Sequence, residues 1–314
     1  MRAAVVKSFT TPPRCAEFRD PEPREGFVPV RMLAAGVHRI VRSLAAGAHY
    51  GSGDELPFVP GVDGVGVLED GTRVYTGGSP DPFGTLAERT IVPAGFAIPV
   101  PDALSSVDAA GIVNPAMSSW MPLVGAASLQ QGQTVLVLGA TGISGSLAVR
   151  IALHLGAGLV IAAGRDAHSL SRLAETEHVT TVRIDENLTA SLRAAAPEGI
   201  DVVLDYLWGP VAEGALEALR RTGLSHKARS TAYVQIGAIA GTRVSLDATL
   251  LRSSSVTITG SGAGSINPQL LLTELPKILD LAASRRIEAP VRAVALTDIE
   301  SEWSSTDRLV VELA

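Results

Sequence analysis

Residues 134 to 157, TVLVLGATGISGSLAVRIALHLGA, carry the clearest chemical pattern in the chain. Five apolar or β-branched residues read as a buried strand, Gly139, Gly142 and Gly145 as a turn, and the residues from Ile143 onward as a helix. Amides at such a helix start, Ile143 and Ser144 among them, lack intrahelical partners and face the positive end of the helix dipole, which suits a pyrophosphate. Glycine permits the tight turn and the close approach of phosphate oxygens. The spacing is G-x-x-G-x-x-G rather than G-x-G-x-x-G, so its weight comes from the strand, turn, helix and second strand around it. That second strand ends in LVIAAGRDAH. The place that holds an acid for the ribose 2′-hydroxyl in an NAD site is taken here by Gly164, followed by Arg165. A guanidinium hydrogen-bonds a 2′-phosphate that a carboxylate would repel, which predicts NADPH. Asp166, one residue on, restores the NAD pattern if the register moves by one. Tyr206, Leu207 and Trp208, and then Gly237 and Ala238, follow two further strand ends, the edge at which a doubly wound sheet binds its ligand. Tyr206 and Trp208 serve equally well as packing under a loop.

These residues need a scaffold, and 314 residues with 46% apolar content suffice for two domains with a substantial core. A net charge of −6 without a basic run argues against a phosphate-neutralising nucleic-acid surface. The single cysteine, Cys15, excludes an intramolecular disulfide and any multi-cysteine zinc site. The first apolar run, four residues before Lys7, is too short for a secretory signal, and the uncharged stretch 133–149 is broken by three glycines. The expectation is a cytoplasmic chain with no membrane span. Up to about residue 115, short apolar runs punctuated by Gly and Pro predict a compact β domain, with one short helix over residues 38–46. From Asp108 on the texture changes. Strands at 134–138, 159–163, 179–184, 201–204, 232–236 and 256–259 alternate with helices at 146–155, 167–175 and 209–221, the pattern of a parallel, doubly wound sheet. A helix at 268–283 and a strand at 291–296 would return to the first domain.

The chain resembles the medium-chain dehydrogenase/reductase superfamily, and within it the zinc-independent quinone oxidoreductase branch. The resemblance rests on AAGVHRIVRSLAAGAHY (34–50), LPFVPGVDGVGVLEDGTRVY (56–75), the GATGISG turn, DVVLDYLWG (201–209) and VQIGAIAG (234–241), in this order over nearly the whole chain. It implies an α/β protein with a GroES-like β-barrel catalytic domain, 1–115 completed by 265–314, and a Rossmann NADPH-binding domain, 116–264, with the active site in the cleft between them. It also implies a homodimer joined through the cofactor domain, and residues 256–259 have the β-propensity of such an edge.

Zinc-dependent members place a Cys, a Gly-His-Glu and a later Cys or Asp where this chain has His38, Gly61-Val62-Asp63 and Asn114. His38 and Asp63 could ligate a metal, but Val62 cannot and Asn114 is a poor zinc ligand, so no metal is expected. Without zinc, hydrogen bonds must stabilise negative charge on the acceptor and a side chain or water must supply a proton. The resemblance puts a proton-donating tyrosine near the end of the segment 38–50: Tyr50 is the first choice, His49 the second, and water the third. His38 and Arg42, four apart, would share one helical face, from which Arg42 could orient an anionic or carbonyl group. A buried His38 with a solvated Arg42 is the plainer alternative. Ser118 takes the place of a threonine that commonly touches the nicotinamide, while Asn114-Pro115 also reads as the cap and first turn of a helix. The glycines of GSGAG, 260–264, are a weak signal. His154, His168, His178 and His226 read as ordinary packing or surface residues. There is neither a G-x-S-x-G elbow nor a P-loop lysine. The expected activity is hydride transfer from NADPH to a small molecule with an electron-poor double bond, a quinone, enone, or activated imine or carbonyl. The competing readings are an NADPH-binding sensor without turnover and a non-redox cyclase or isomerase on the same fold.

Overall fold

A computed structural model describes residues 1–221 and 230–313, so His226 lies outside the described residues. The first part is β-rich. β1 (Arg2–Val5) pairs with β2 (Arg14–Glu17). β3 (Phe27–Gly36) leads into α1 (Arg39–Ala45), followed by β4 (Asp63–Val67), β5 (Arg73–Gly77), β6 (Arg89–Pro93) and β7 (Ile98–Pro99). α2 (Ser106–Val124) then runs unbroken for 19 residues. Asn114-Pro115 therefore does not start a helix; both residues lie inside α2. An interior proline forfeits one backbone hydrogen bond and costs about 3 kcal/mol. The helix offsets that by burying Ala109, Ile112, Val113, Ala116, Trp120 and Leu123.

Next come β8 (Thr134–Leu138), α3 (Ile143–His154), β9 (Leu159–Gly164), α4 (Ala167–Ala174), β10 (Val179–Arg183), α5 (Leu188–Ala195), β11 (Val202–Asp205), α6 (Gly209–Ala218), β12 (Thr231–Gln235), α7 (Ala248–Ser254) and β13 (Val256–Gly260). Their strands form one parallel sheet in the order β10-β9-β8-β11-β12-β13. Every residue of β8 is buried, as expected of a central strand covered on both faces. The order reverses between β8 and β11, the switch point at which such sheets bind ligands.

The last part, α8 (Pro268–Ala283), β14 (Arg292–Ala295), α9 (Ile299–Glu302) and β15 (Leu309–Glu312), includes two strands that extend the early sheet. β15 pairs antiparallel with β3 and parallel with β14, giving a seven-stranded sheet together with β4, β5, β6 and β7. The chain divides into two units, Met1–Asn114 with Leu272–Ala314, and Pro115–Leu271. Ala35, Val41, Leu86, Ile299, Leu309 and Val311 are core residues of the first, and Leu136, Ile161, Leu192, Val203 and Tyr233 of the second. Among the described residues no helix is long and apolar enough to cross a membrane.

Candidate active site

In the second unit the glycine turn has a physical cause at each end. Gly139 has φ +94, a region that side chains other than glycine rarely adopt. A Cβ on Gly145 would lie 2.1 Å from the Gly139 carbonyl oxygen, so only glycine lets α3 start this close to β8. The amides of Gly139 and Ala140 both donate to the Ala163 carbonyl (2.9 Å each), which ties the turn to β9. Gly142 is the extended N-cap, and its carbonyl accepts the Ser146 amide at 2.8 Å. The amides of Ile143, Ser144 and Gly145 have no partner among the described residues. Three N–H groups at the positive end of a 12-residue helix are a seat for an anion.

Beside this turn, β9 ends at the buried Gly164, and a Cβ there would lie 2.3 Å from the Thr141 side chain. Arg165 is exposed and has no partner among the described residues. Asp166 is the N-cap of α4: its Oδ1 accepts the Ser169 amide at 2.7 Å, and the Ser169 side chain first, then this amide, hold its pKa below the usual carboxylate value. The carboxylate that could have restored a ribose contact is thus committed to a helix end.

β11 and β12 contribute the other side. Asp205 is fully buried. Its Oδ1 accepts the amides of Leu207 (2.8 Å) and Trp208 (2.9 Å), and its Oδ2 accepts the Tyr233 hydroxyl (2.7 Å). Burial pushes the Asp205 carboxyl up against the lowering effect of these bonds. They fix the loop in which Trp208, at φ 56, turns the chain into α6. The Asp205 carbonyl also accepts the Ile236 and Gly237 amides, joining the two strand ends. Tyr206 is buried, and Ser118 and Tyr206 meet at 3.2 Å. Ser118 donates to the Pro115 carbonyl at 2.6 Å, so the Tyr206 hydroxyl donates to the serine oxygen. Burial, outweighing that bond, pushes the Tyr206 phenol up to about 12. Gly237 is half-buried against Tyr206, and Ala238 is exposed. Sequence reasoning missed Asp205; an acid closing an apolar strand in DVVLDYLWG was the available signal.

The first unit gathers a different set. His38 is the N-cap residue before α1 rather than a member of it. Asp63, at the start of β4, receives His38 Nε2 at 2.9 Å on Oδ1 and the Tyr75 hydroxyl at 2.5 Å on Oδ2. Burial first, and then the Asp63 charge, push the Tyr75 phenol well up. Arg308, from the residues just before β15, lies 2.7 Å from His38 Nδ1. A guanidinium only donates, so Nδ1 accepts and Nε2 carries the proton, which is the neutral tautomer. The two residues that could have ligated a metal spend their lone pairs and proton on each other and on Arg308. Arg42 is half-buried rather than solvated and donates to the Ser305 carbonyl at 2.6 Å.

Tyr50 and His49 lie in the turn beyond α1, and among the described residues their hydrogen bonds and ring contact stay within residues 49–52. Tyr50 is 77% exposed, its ring 4.0 Å from that of His49. His49 Nδ1 accepts the Gly51 amide at 3.1 Å, leaving Nε2–H as a donor, and partial burial lowers the pKa of the imidazole.

No protein-family model matches the chain. It is 30% identical to the "probable NADPH-dependent quinone reductase tdiC" of Emericella nidulans, over 98% of this chain and 97% of that protein. The chain belongs to the medium-chain dehydrogenase/reductase superfamily, in its zinc-independent quinone oxidoreductase-like branch. The solved quinone oxidoreductase of Thermus thermophilus, determined also in complex with NADPH, superposes with a TM-score of 0.77 at 26% identity over the full length of both chains. A stretch of a Mycobacterium tuberculosis phenolphthiocerol/phthiocerol polyketide synthase subunit is 31% identical over 95% of this chain, which spans 14% of that protein. This membership identifies the two units as the superfamily's GroES-like and Rossmann folds.

Proposed function

We propose that this protein transfers a hydride from NADPH to an electron-poor double bond, with a quinone as the first acceptor to consider and enones and activated imines or carbonyls next. The chain is an NADPH-dependent oxidoreductase of the quinone oxidoreductase type. The observation that carries the cofactor assignment is the turn after β8: three unpaired amides at a helix start, with Arg165 free beside them and Asp166 committed to capping α4. Ile143, Ser144 and Gly142 would hold the pyrophosphate, and Arg165 past Gly164 the 2′-phosphate. Ser118, Tyr206, Gly237 and Ala238 would line the nicotinamide end. NADPH supplies the hydride, and the chain supplies orientation and the proton. Reduction of a quinone takes one hydride and one proton to give the hydroquinone and NADP⁺. We assign the proton to the Tyr50–His49 pair, whose exposed phenol and imidazole Nε2–H are the donors in the turn after α1, with water as the alternative. The first unit would accept the small-molecule substrate, and two copies would join through β13.

The test follows NADPH absorbance with EDTA present and a panel of quinones, enones, imines and aldehydes. Substrate-dependent oxidation of NADPH, with NADH much slower, is the expected result. Binding of NADPH without oxidation across the panel would favour a sensor, and product formed without NADPH consumption a non-redox catalyst. Tyr50→Phe with His49→Ala should lower kcat by about 100-fold, the range of one general acid, while leaving NADPH affinity intact; an unchanged kcat would assign the proton to water.

A further inference from the structure

Arg42 and Arg308 raise a question that the hydride reaction does not answer. Burial lowers the pKa of both guanidinium groups, and the Arg42 charge lowers that of Arg308 further. Arg42 uses one N–H on the Ser305 carbonyl, and Arg308 one on His38 Nδ1. Arg42 Nε and Nη2 and Arg308 Nε are fully buried atoms with no hydrogen-bond partner among the described residues. The nearby acids are committed elsewhere: Asp63 to His38 and Tyr75, and Glu302 and Asp307 to Arg292. With His38 neutral, two cations face one carboxylate, so the cluster carries one uncompensated positive charge. Leaving a buried charge and its donors unpaired is costly, and an anion is the group that removes the cost. A planar guanidinium offers its N–H donors as a fork, the arrangement that pairs with a planar oxyanion.

We infer that Arg42 and Arg308 bind an anionic oxygen group carried by the acceptor, a carboxylate or an acidic enol conjugated to the reducible ring. This rests on the reading of the first unit as the acceptor-binding unit. It makes the preferred substrate a singly charged, planar acceptor rather than a neutral quinone.

Two measurements decide it, and the first needs no turnover. In calorimetric titration the unmodified protein should bind benzoate with one site, and bind neutral benzamide at least about ten-fold more weakly, the discrimination expected of a charge-assisted contact. Arg42→Met and Arg308→Met should each weaken benzoate about ten-fold or more, Arg42→Lys less, and Arg39→Met, on the exposed side of α1, by less than about two-fold. In the second measurement, the ratio of kcat/KM for 2-hydroxy-1,4-naphthoquinone to that for 1,4-naphthoquinone should fall about ten-fold in either Met variant, and benzoate should compete with the hydroxyquinone. No benzoate binding by the unmodified protein, or equal binding by both Met variants, overturns the site. Benzoate or inorganic phosphate that binds without competing overturns its assignment to the acceptor and leaves a free-anion site. If neither quinone is reduced while benzoate binds through both arginines, the acceptor reading falls and the anion site stands.

Discussion

Both oxygens of Asp63 are spent inside the protein, one on His38 and one on Tyr75, and its charge is the counterweight to Arg308. Removing it leaves a buried imidazole N–H and a buried phenol without their acceptor, and the Arg308 guanidinium without its counter-charge. Asp63→Ala should therefore cost about 3 kcal/mol or more of unfolding free energy, read from the denaturant midpoint at unchanged slope. Sequence reasoning could weigh His38 and Asp63 as metal ligands, because residue type is visible, but not see that they satisfy each other. Arg308 was out of reach altogether: it meets His38 across 270 residues, and nothing local marks such a contact. Tyr206 gives a pH test. Its folded pKa is raised to about 12 from 10.0, so its share of stability is intact below pH 10. Above that the unfolded phenol ionises while the folded one keeps its proton, and stability falls by about 1.4 kcal/mol per pH unit until pH reaches about 12. Tyr75 and Tyr233 are shifted the same way, so the whole alkaline loss is steeper than one group gives. Tyr206→Phe should remove about 2 kcal/mol of that loss, measured as unfolding free energy at pH 9 against pH 12.

The β8–turn–α3 element was legible because every requirement on it is local: a buried strand, glycines at the close approaches, and a helix with small residues facing the sheet. The two glycines differ in a way that can be measured. A Cβ at Gly145 meets the Gly139 carbonyl at 2.1 Å, whereas at Gly142, with φ −83, the nearest atom is at 3.5 Å. Gly145→Ala should shift the backbone under the unpaired amides, lowering the melting temperature by several degrees and NADPH affinity by about ten-fold or more. Gly142→Ala should change stability by less than about 0.5 kcal/mol. Equal stability losses in the two variants would mean that the turn yields more easily than its geometry implies. Elements whose cause is not local were read poorly. Asn114-Pro115 reads as a helix start because proline is a good start signal, whereas both residues lie inside α2, which buries its apolar residues along its length. β15, Leu309–Glu312, went unread because four residues without a turn signal become a strand only through β3 and β14. α5 and α7, eight and seven residues long, are likewise too short for a helical period to register.

At the scale of the whole molecule the parallel sheet stops at β13, which among the described residues pairs with β12 alone. Ser255 accepts the Thr231 amide and Ser261 donates to the Gln235 carbonyl, so odd-numbered residues from 255 to 261 aim their backbone groups at β12. Direction alternates along a strand, which leaves the N–H and C=O of Val256, Ile258 and Gly260 aimed at the open edge. An edge of this β-propensity, without charge or proline to blunt it, pairs readily with a second copy. If two chains join their sheets here, the particle should have twice the 32.5 kDa mass of the chain. Ile258→Pro then makes a clean probe. It deletes a donor on the open edge, while the bonds to β12 come from its neighbours, and an edge proline with its nitrogen outward is tolerated. Sedimentation velocity should show a dimer that Ile258→Pro converts to a monomer with the same circular dichroism and NADPH affinity. Thr257→Pro, which deletes a β12-facing donor, should instead lower thermal stability. A monomeric unmodified protein, or a dimer indifferent to Ile258→Pro, would move the contact away from β13.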